Sequence, residues 1–121
     1  MENPKRALIY RIYCTDPTDT SVFYNGTIEK YISHKLGKYK RAYQKYLDKP
    51  NIRLWSPPFY FFENYKMEQI VAEVVEECYV HNNKELKTRI NHFVNQLPEK
   101  DQINRSFSKK TMIDYINRSK K

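Results

Sequence analysis

Residues 69–97 read QIVAEVVEECYVHNNKELKTRINHFVNQL, and a change of rhythm inside this stretch sets the fold class. Through Gln69–Tyr79 the side chains alternate. Ile70, Ala72, Val74 and Cys78 fall on one side of an extended chain; Glu73 and Glu77 share the other with Val71, Val75 and Tyr79. A period of two predicts a strand. From Leu86 onward the apolar residues recur at three and four: Leu86, Ile90, Phe93, Val94 and Leu97. That period predicts a helix with one buried stripe. Asn82 supplies its N-cap, Glu85 is positioned as a capping-box partner, and Pro98 stops it.

Two strands and two helical segments precede this unit. Ala7–Tyr13 (ALIYRIY) is rich in β-branched and aromatic residues, as is Ser21–Tyr24, which Asn25-Gly26 closes as a turn signal. The short loop between them, marked by Asp16-Pro17 and Asp19, predicts an antiparallel hairpin. Glu29–Leu47 then has helical spacing, with Ile32, Leu36, Tyr39, Tyr43, Tyr46 and Leu47 on one face. Lys30, His34, Lys38, Arg41 and Lys45 fall on the opposite face. Phe59–Tyr65 fits either a strand or a short helix, and the preceding Pro58 favours the helix. The order strand, strand, helix, short helix, strand, helix predicts an α+β domain: a three-stranded antiparallel sheet with flanking helices.

Composition narrows the function. Only two glycines occur in 121 residues, so no glycine-rich phosphate loop of the dinucleotide-binding or P-loop type exists. The net charge is +8, and it is unevenly distributed. Residues 27–53 hold eight basic and two acidic residues, whereas residues 54–79 hold one basic and five acidic. Such a balance points to nucleic acid, an anionic surface or an acidic partner. No apolar run is long enough to span a bilayer, and no secretory leader pattern is found, so no membrane association is expected. Cys14 and Cys78 have no metal-binding spacing and read as reduced thiols of an intracellular protein, cytoplasmic or nuclear. The sequons at Asn25, Asn104 and Asn117 then carry no glycan.

The order of elements, with the residues that fill it, resembles the GIY-YIG nuclease domain. Leu8-Ile9-Tyr10 stands where that family has Gly-Ile-Tyr, and Tyr24-Asn25-Gly26-Thr27 stands where it has Tyr-Ile-Gly or Tyr-Val-Gly followed by Ser or Thr. Residues 69–97 are similar to the family's third strand, Asn-Lys turn and last helix, and Ile103-Asn104-Arg105 to the Asn/Ile-Arg-Pro that follows, with Ser106 in place of proline. Ile9–Cys14 and Asp16-Pro17 are most similar to the short members found in large DNA viruses and some protists. The resemblance spans residues 7–107 and leaves residues 108–121 as a basic extension, with Thr111–Arg118 a short helix.

The resemblance implies a metal-dependent DNA hydrolase whose site is damaged in this chain. Tyr10 and Tyr24 match the motif tyrosines, which orient or activate the attacking water. The family's catalytic arginine falls on His34, the histidine that often follows it falls on Lys38, and the metal-holding glutamate falls on Ile90 or Asn91. A hard divalent cation needs oxygen ligands with at least one carboxylate, and the arginine stabilises transition-state charge. The expectation is a catalytically inactive homologue, with Tyr10, Tyr24 and His34 as remnants. No cofactor is expected, Mg²⁺ or Mn²⁺ entering only with a working site. Nucleic acid is the expected partner, on a surface of Lys30, His34, Lys38, Arg41, Lys45 and Arg53, with Trp55 free either to stack on bases or to fill the core. Two other readings stand beside this one. A protein-interaction or structural module, of a virus particle or assembly, would use Tyr60, Phe61 and Tyr65 as surface aromatics. A working endonuclease would use a relocated site. Glu73, Glu76 and Glu77, on or near the third strand, resemble a metal cluster, but a solvated strand end is the better explanation for them.

Overall fold

A computed structural model describes residues 3–103. The basic extension, the helix expected at Thr111–Arg118 and the expected domain end at residue 107 lie outside the described residues. Strand β1 (Lys5–Cys14) pairs antiparallel with β2 (Val22–Thr27) on one side and with β3 (Ile70–Val80) on the other. The sheet order is β2-β1-β3. Helices α1 (Lys35–Asp48) and α2 (Phe59–Asn64) join β2 to β3, and α3 (Asn83–Asn95) follows β3. The architecture is α+β, as the alternation of sequence periods predicts.

The central strand is apolar on both faces because both are covered. Tyr10, Ile12 and Cys14 enter one cluster with Phe23, Ile70, Tyr46 of α1, and Phe59, Phe61 and Phe62 of α2. Ala7 and Ile9 enter a second with Val80, Val75 and Cys78, sealed by Leu86, Ile90 and Phe93 of α3. Rings build the first cluster: Phe59, fully buried, is met by Tyr43 at 5.3 Å, Tyr46 at 5.5 Å and Trp55 at 6.4 Å between centroids. Truncating such a ring to alanine costs about 3–5 kcal/mol. Helix α3 starts as its sequence predicts: Asn82 Oδ1 accepts the Glu85 N–H at 2.9 Å. Glu85 reaches one residue further back than in a standard capping box and accepts the His81 N–H at 2.7 Å.

The structure corrects four local expectations. Asn25-Gly26 does not close β2; both residues continue the strand, opposite Tyr10 and Ile9. The helix expected from Glu29 begins at Lys35, with His34 as its N-cap, so Lys30 and His34 lie off its basic face. Ile32 packs against the core from the loop, which mimics helical periodicity upstream of the true start. Leu47, expected on the buried stripe, is exposed. Finally, β3 carries a bulge: Tyr10 opposes Val74 but Ile9 opposes Glu76, leaving Val75 as an inserted residue. The insertion flips everything after it. Cys78 joins the α3 side rather than the face of Ile70 and Ala72. Glu73 and Glu77, expected on one face, lie on opposite ones, across from Arg11 and Leu8.

Candidate nucleic-acid interface

Helix α1 sits with Leu36, Tyr39, Tyr43 and Tyr46 against the core, which turns Lys38, Arg41 and Lys45 to solvent. Arg53, in the short turn Ile52–Leu54 that follows, is exposed as well. Arg41, Lys45 and Arg53 form no ion pair with a carboxylate among the described residues. Trp55 is half-buried and packs edge-on against Phe59, as part of the core cluster.

The other end of the expected surface is self-neutralised. Glu29, one of the two acids in residues 27–53, accepts from His34 Nε2 at 2.8 Å, Lys35 Nζ at 2.9 Å and Lys38 Nζ at 3.2 Å. The hydrogen bonds from Lys35 and Lys38 hold its carboxyl at about 2. His34 is therefore a partner of Glu29, and Lys30 lies over the ring of Tyr31. The sequence pattern did not single out Glu29. Its only signal was being a lone acid at the start of a basic run.

The two motif tyrosines are not brought together. Tyr10 opposes Asn25, and Arg11 opposes Tyr24, so the two rings leave the sheet on opposite faces. Tyr10 is buried beneath α1 with its hydroxyl 2.7 Å from that of Tyr39, which also accepts from Asn25 Nδ2 at 3.0 Å. Burial, with Tyr39 adding to it, pushes the Tyr10 phenol well above its usual range. Tyr24 stacks on Phe93 of α3 at 5.5 Å. Sequence reading put Tyr39 on the buried stripe and Asn25 in a turn, but nothing local marks the hydrogen bonds that join them to Tyr10.

A cleft of about 320 Å³ lies between β2 and α3. Tyr24, Asn25 and Gly26 form one wall; Asn83, Leu86, Lys87, Ile90 and Asn91 form the other. The helix approaches so closely that a Cβ on Gly26 would stand 2.8 Å from Leu86 Cδ1 and 3.1 Å from Ile90 Cδ1. Ile90 and Asn91, the two positions where the resemblance would put a glutamate, line this cleft, and neither they nor the other lining residues offer a carboxylate. Amides and hydrocarbon do not make a donor set for Mg²⁺ or Mn²⁺, so the cation that the resemblance implies does not fit here. The acids of β3 do not supply one: Glu73 is held by Arg11, Glu76 by the forked guanidinium of Arg89, and Glu77 by Arg6. Among the described residues no group of three or more His, Cys, Asp and Glu side chains is placed to hold a metal.

The aromatics proposed for protein contact point inward. Phe61 is fully buried, while Tyr60 and Tyr65 donate to Asp19 Oδ2 at 2.6 and 2.5 Å, tying α2 to the hairpin loop. No helix of the described residues is long and apolar enough to cross a membrane. Comparison with family models, with curated proteins and with solved structures gives no significant match.

Proposed function

We propose that this chain is a nucleic-acid-binding domain on a degenerate GIY-YIG-like scaffold, one that holds nucleic acid without cutting it. The observation that carries the reading is the outer face of α1. Arg41 and Lys45, with Arg53 beyond the helix, stand exposed and without acidic partners among the described residues, in a segment of net charge +6. Cations so placed bind phosphates by releasing condensed counterions. The cleft beside α3 supports the absence of cutting, since its lining holds amides, Tyr24, Lys87 and hydrocarbon where the metal-dependent chemistry of the resemblance needs a carboxylate-held cation. The separation of Tyr10 from Tyr24 supports it further, since one water cannot be served by hydroxyls on opposite faces of a sheet.

Filter binding of duplex and single-stranded DNA over rising salt tests the binding half. Affinity that falls steeply as salt rises, with a logarithmic slope of about −2 to −4 for a few neutralised phosphates, is expected. No affinity at the lowest salt removes the reading. Plasmid incubation with Mg²⁺ or Mn²⁺ tests the other half: no nicking is expected, and nicking abolished by Tyr24→Phe would overturn it.

A further inference from the structure

The late start of α1 leaves one corner of the sheet uncovered. Because the helix begins only at Lys35, residues 28–34 lie over the sheet as a loop, and a groove of about 450 Å³ opens between that loop and strands β1 and β3. Its floor is Leu8 of β1, Val74 of β3 and Ile32 of the loop. Val74 sits across from buried Tyr10 yet is 44% exposed, and Tyr31 on the groove wall is 62% exposed. Two cations frame it. Lys30 Nζ stands 5.5 Å from the centroid of the Tyr31 ring. Arg6 is gripped by both carboxylate oxygens of Glu77, at 2.8 and 3.3 Å, and also donates to the Lys30 carbonyl at 3.4 Å. Arg6 therefore pins the loop to β3, and the groove is formed before any ligand arrives.

We infer that this groove seats one unpaired base of a single-stranded nucleic acid, the base lying against Tyr31 and the Leu8–Val74 floor and its phosphate reaching Lys30. The inference rests on the nucleic-acid-binding reading and names the form of nucleic acid that the surface selects. The groove falls within the roughly 300–1,000 Å³ range of small-ligand sites, so it takes a nucleotide rather than a helix. An aromatic wall over an apolar floor suits the face of a base, which a duplex hides in its stack and a single strand exposes. Charge decides between a base and an apolar peptide side chain. The loop that forms the wall carries Lys30, and past the stretch that Glu29 neutralises α1 presents the exposed Arg41 and Lys45, so the surroundings of the groove favour a polyanion over an apolar side chain.

Fluorescence anisotropy with a labelled oligothymidine, the same oligomer bearing abasic sites, and a duplex of equal length tests this. Tyr31→Ala is expected to weaken single-strand binding by about tenfold, as loss of one stacked base does, and to leave duplex binding and its salt slope unchanged. Tyr31→Phe should retain single-strand affinity, Val74→Glu should lose it as Tyr31→Ala does, and the abasic oligomer should bind the parent protein as weakly as the normal one binds Tyr31→Ala. Single-strand binding by Tyr31→Ala equal to the parent's, or a parent that prefers duplex, overturns the inference while leaving nucleic-acid binding intact. A parent protein that binds none of the three probes at low salt overturns both.

Discussion

Tyr10 and Tyr24 stand one register step apart on paired strands and face away from each other, Tyr10 hydrogen-bonded to Tyr39 under α1 and Tyr24 stacked on Phe93 of α3. The two residues that a linear reading pairs into one site are, in the folded chain, anchors of two different layers. Each tyrosine fastens a helix to the sheet, and the sheet itself separates them.

That division predicts opposite outcomes for two buried phenols. The Tyr10 hydroxyl is satisfied by Tyr39, so Tyr10→Phe forfeits a hydrogen bond and should cost about 1 kcal/mol. The Tyr46 hydroxyl is buried with no hydrogen-bond partner among the described residues. Tyr46→Phe removes a desolvated polar group and should be neutral or stabilising by about 1 kcal/mol. Urea denaturation of both variants checks the contrast, and a loss at Tyr46 equal to that at Tyr10 would contradict it.

Gly26 is set by closeness, not by backbone conformation: no glycine in the described chain has a positive φ. An added methyl would meet Leu86 Cδ1 at 2.8 Å and Leu86 Cγ at 3.2 Å. Gly26→Ala should destabilise by about 1–3 kcal/mol through overpacking. Leu86→Ala opens the same space, so the double variant should be more stable than the sum of the single losses implies. Strict additivity in denaturation would show that the helix does not press on β2 at this point.

How much of this was legible in the sequence depends on the kind of signal. Elements whose composition or periodicity is backed by many residues were readable: β1, β3 and α3 lie within a residue or two of where the pattern puts them, whereas α2, ambiguous by period, was decided by Pro58. Asn25-Gly26 misled because the dipeptide is a strong turn signal, and only pairing with Tyr10 and Ile9 draws it into the strand. The bulge at Val75 was invisible, since a period of two carries no mark of an inserted residue, yet it decides the faces of Glu77 and Cys78. The basic residues of the candidate interface could be named, but not the carboxylate that occupies two of them, His34 and Lys38, together with Lys35. Glu29 acts through side chains five, six and nine residues away, a distance set by how the loop wraps onto α1.

The hairpin loop should confer an acid sensitivity. Burial works to raise the Asp19 carboxyl, but hydrogen bonds from Tyr60, Tyr65 and Ser21 outweigh it and hold it at about 2. A carboxyl depressed in the folded state contributes its stability in full above its unfolded value, about 3.9, and loses it as pH falls toward the folded value. Asp19→Asn should therefore lower Tm at pH 6, and the gap between variant and parent should close between about pH 4 and pH 2. A gap that stays constant across that window would mean that the tyrosine hydroxyls do not depend on the charge of Asp19.

The central claim, that the outer face of α1 holds nucleic acid, is tested most directly by reversing its unpaired charges. Arg41→Glu and Lys45→Glu together alter two exposed helix positions that pack against nothing in the core. Equilibrium binding to duplex DNA should weaken, and the magnitude of the slope of log affinity against log salt should fall by about 2, close to one unit for each phosphate that is no longer neutralised. A double variant that keeps both the affinity and the salt slope of the parent protein would contradict the account.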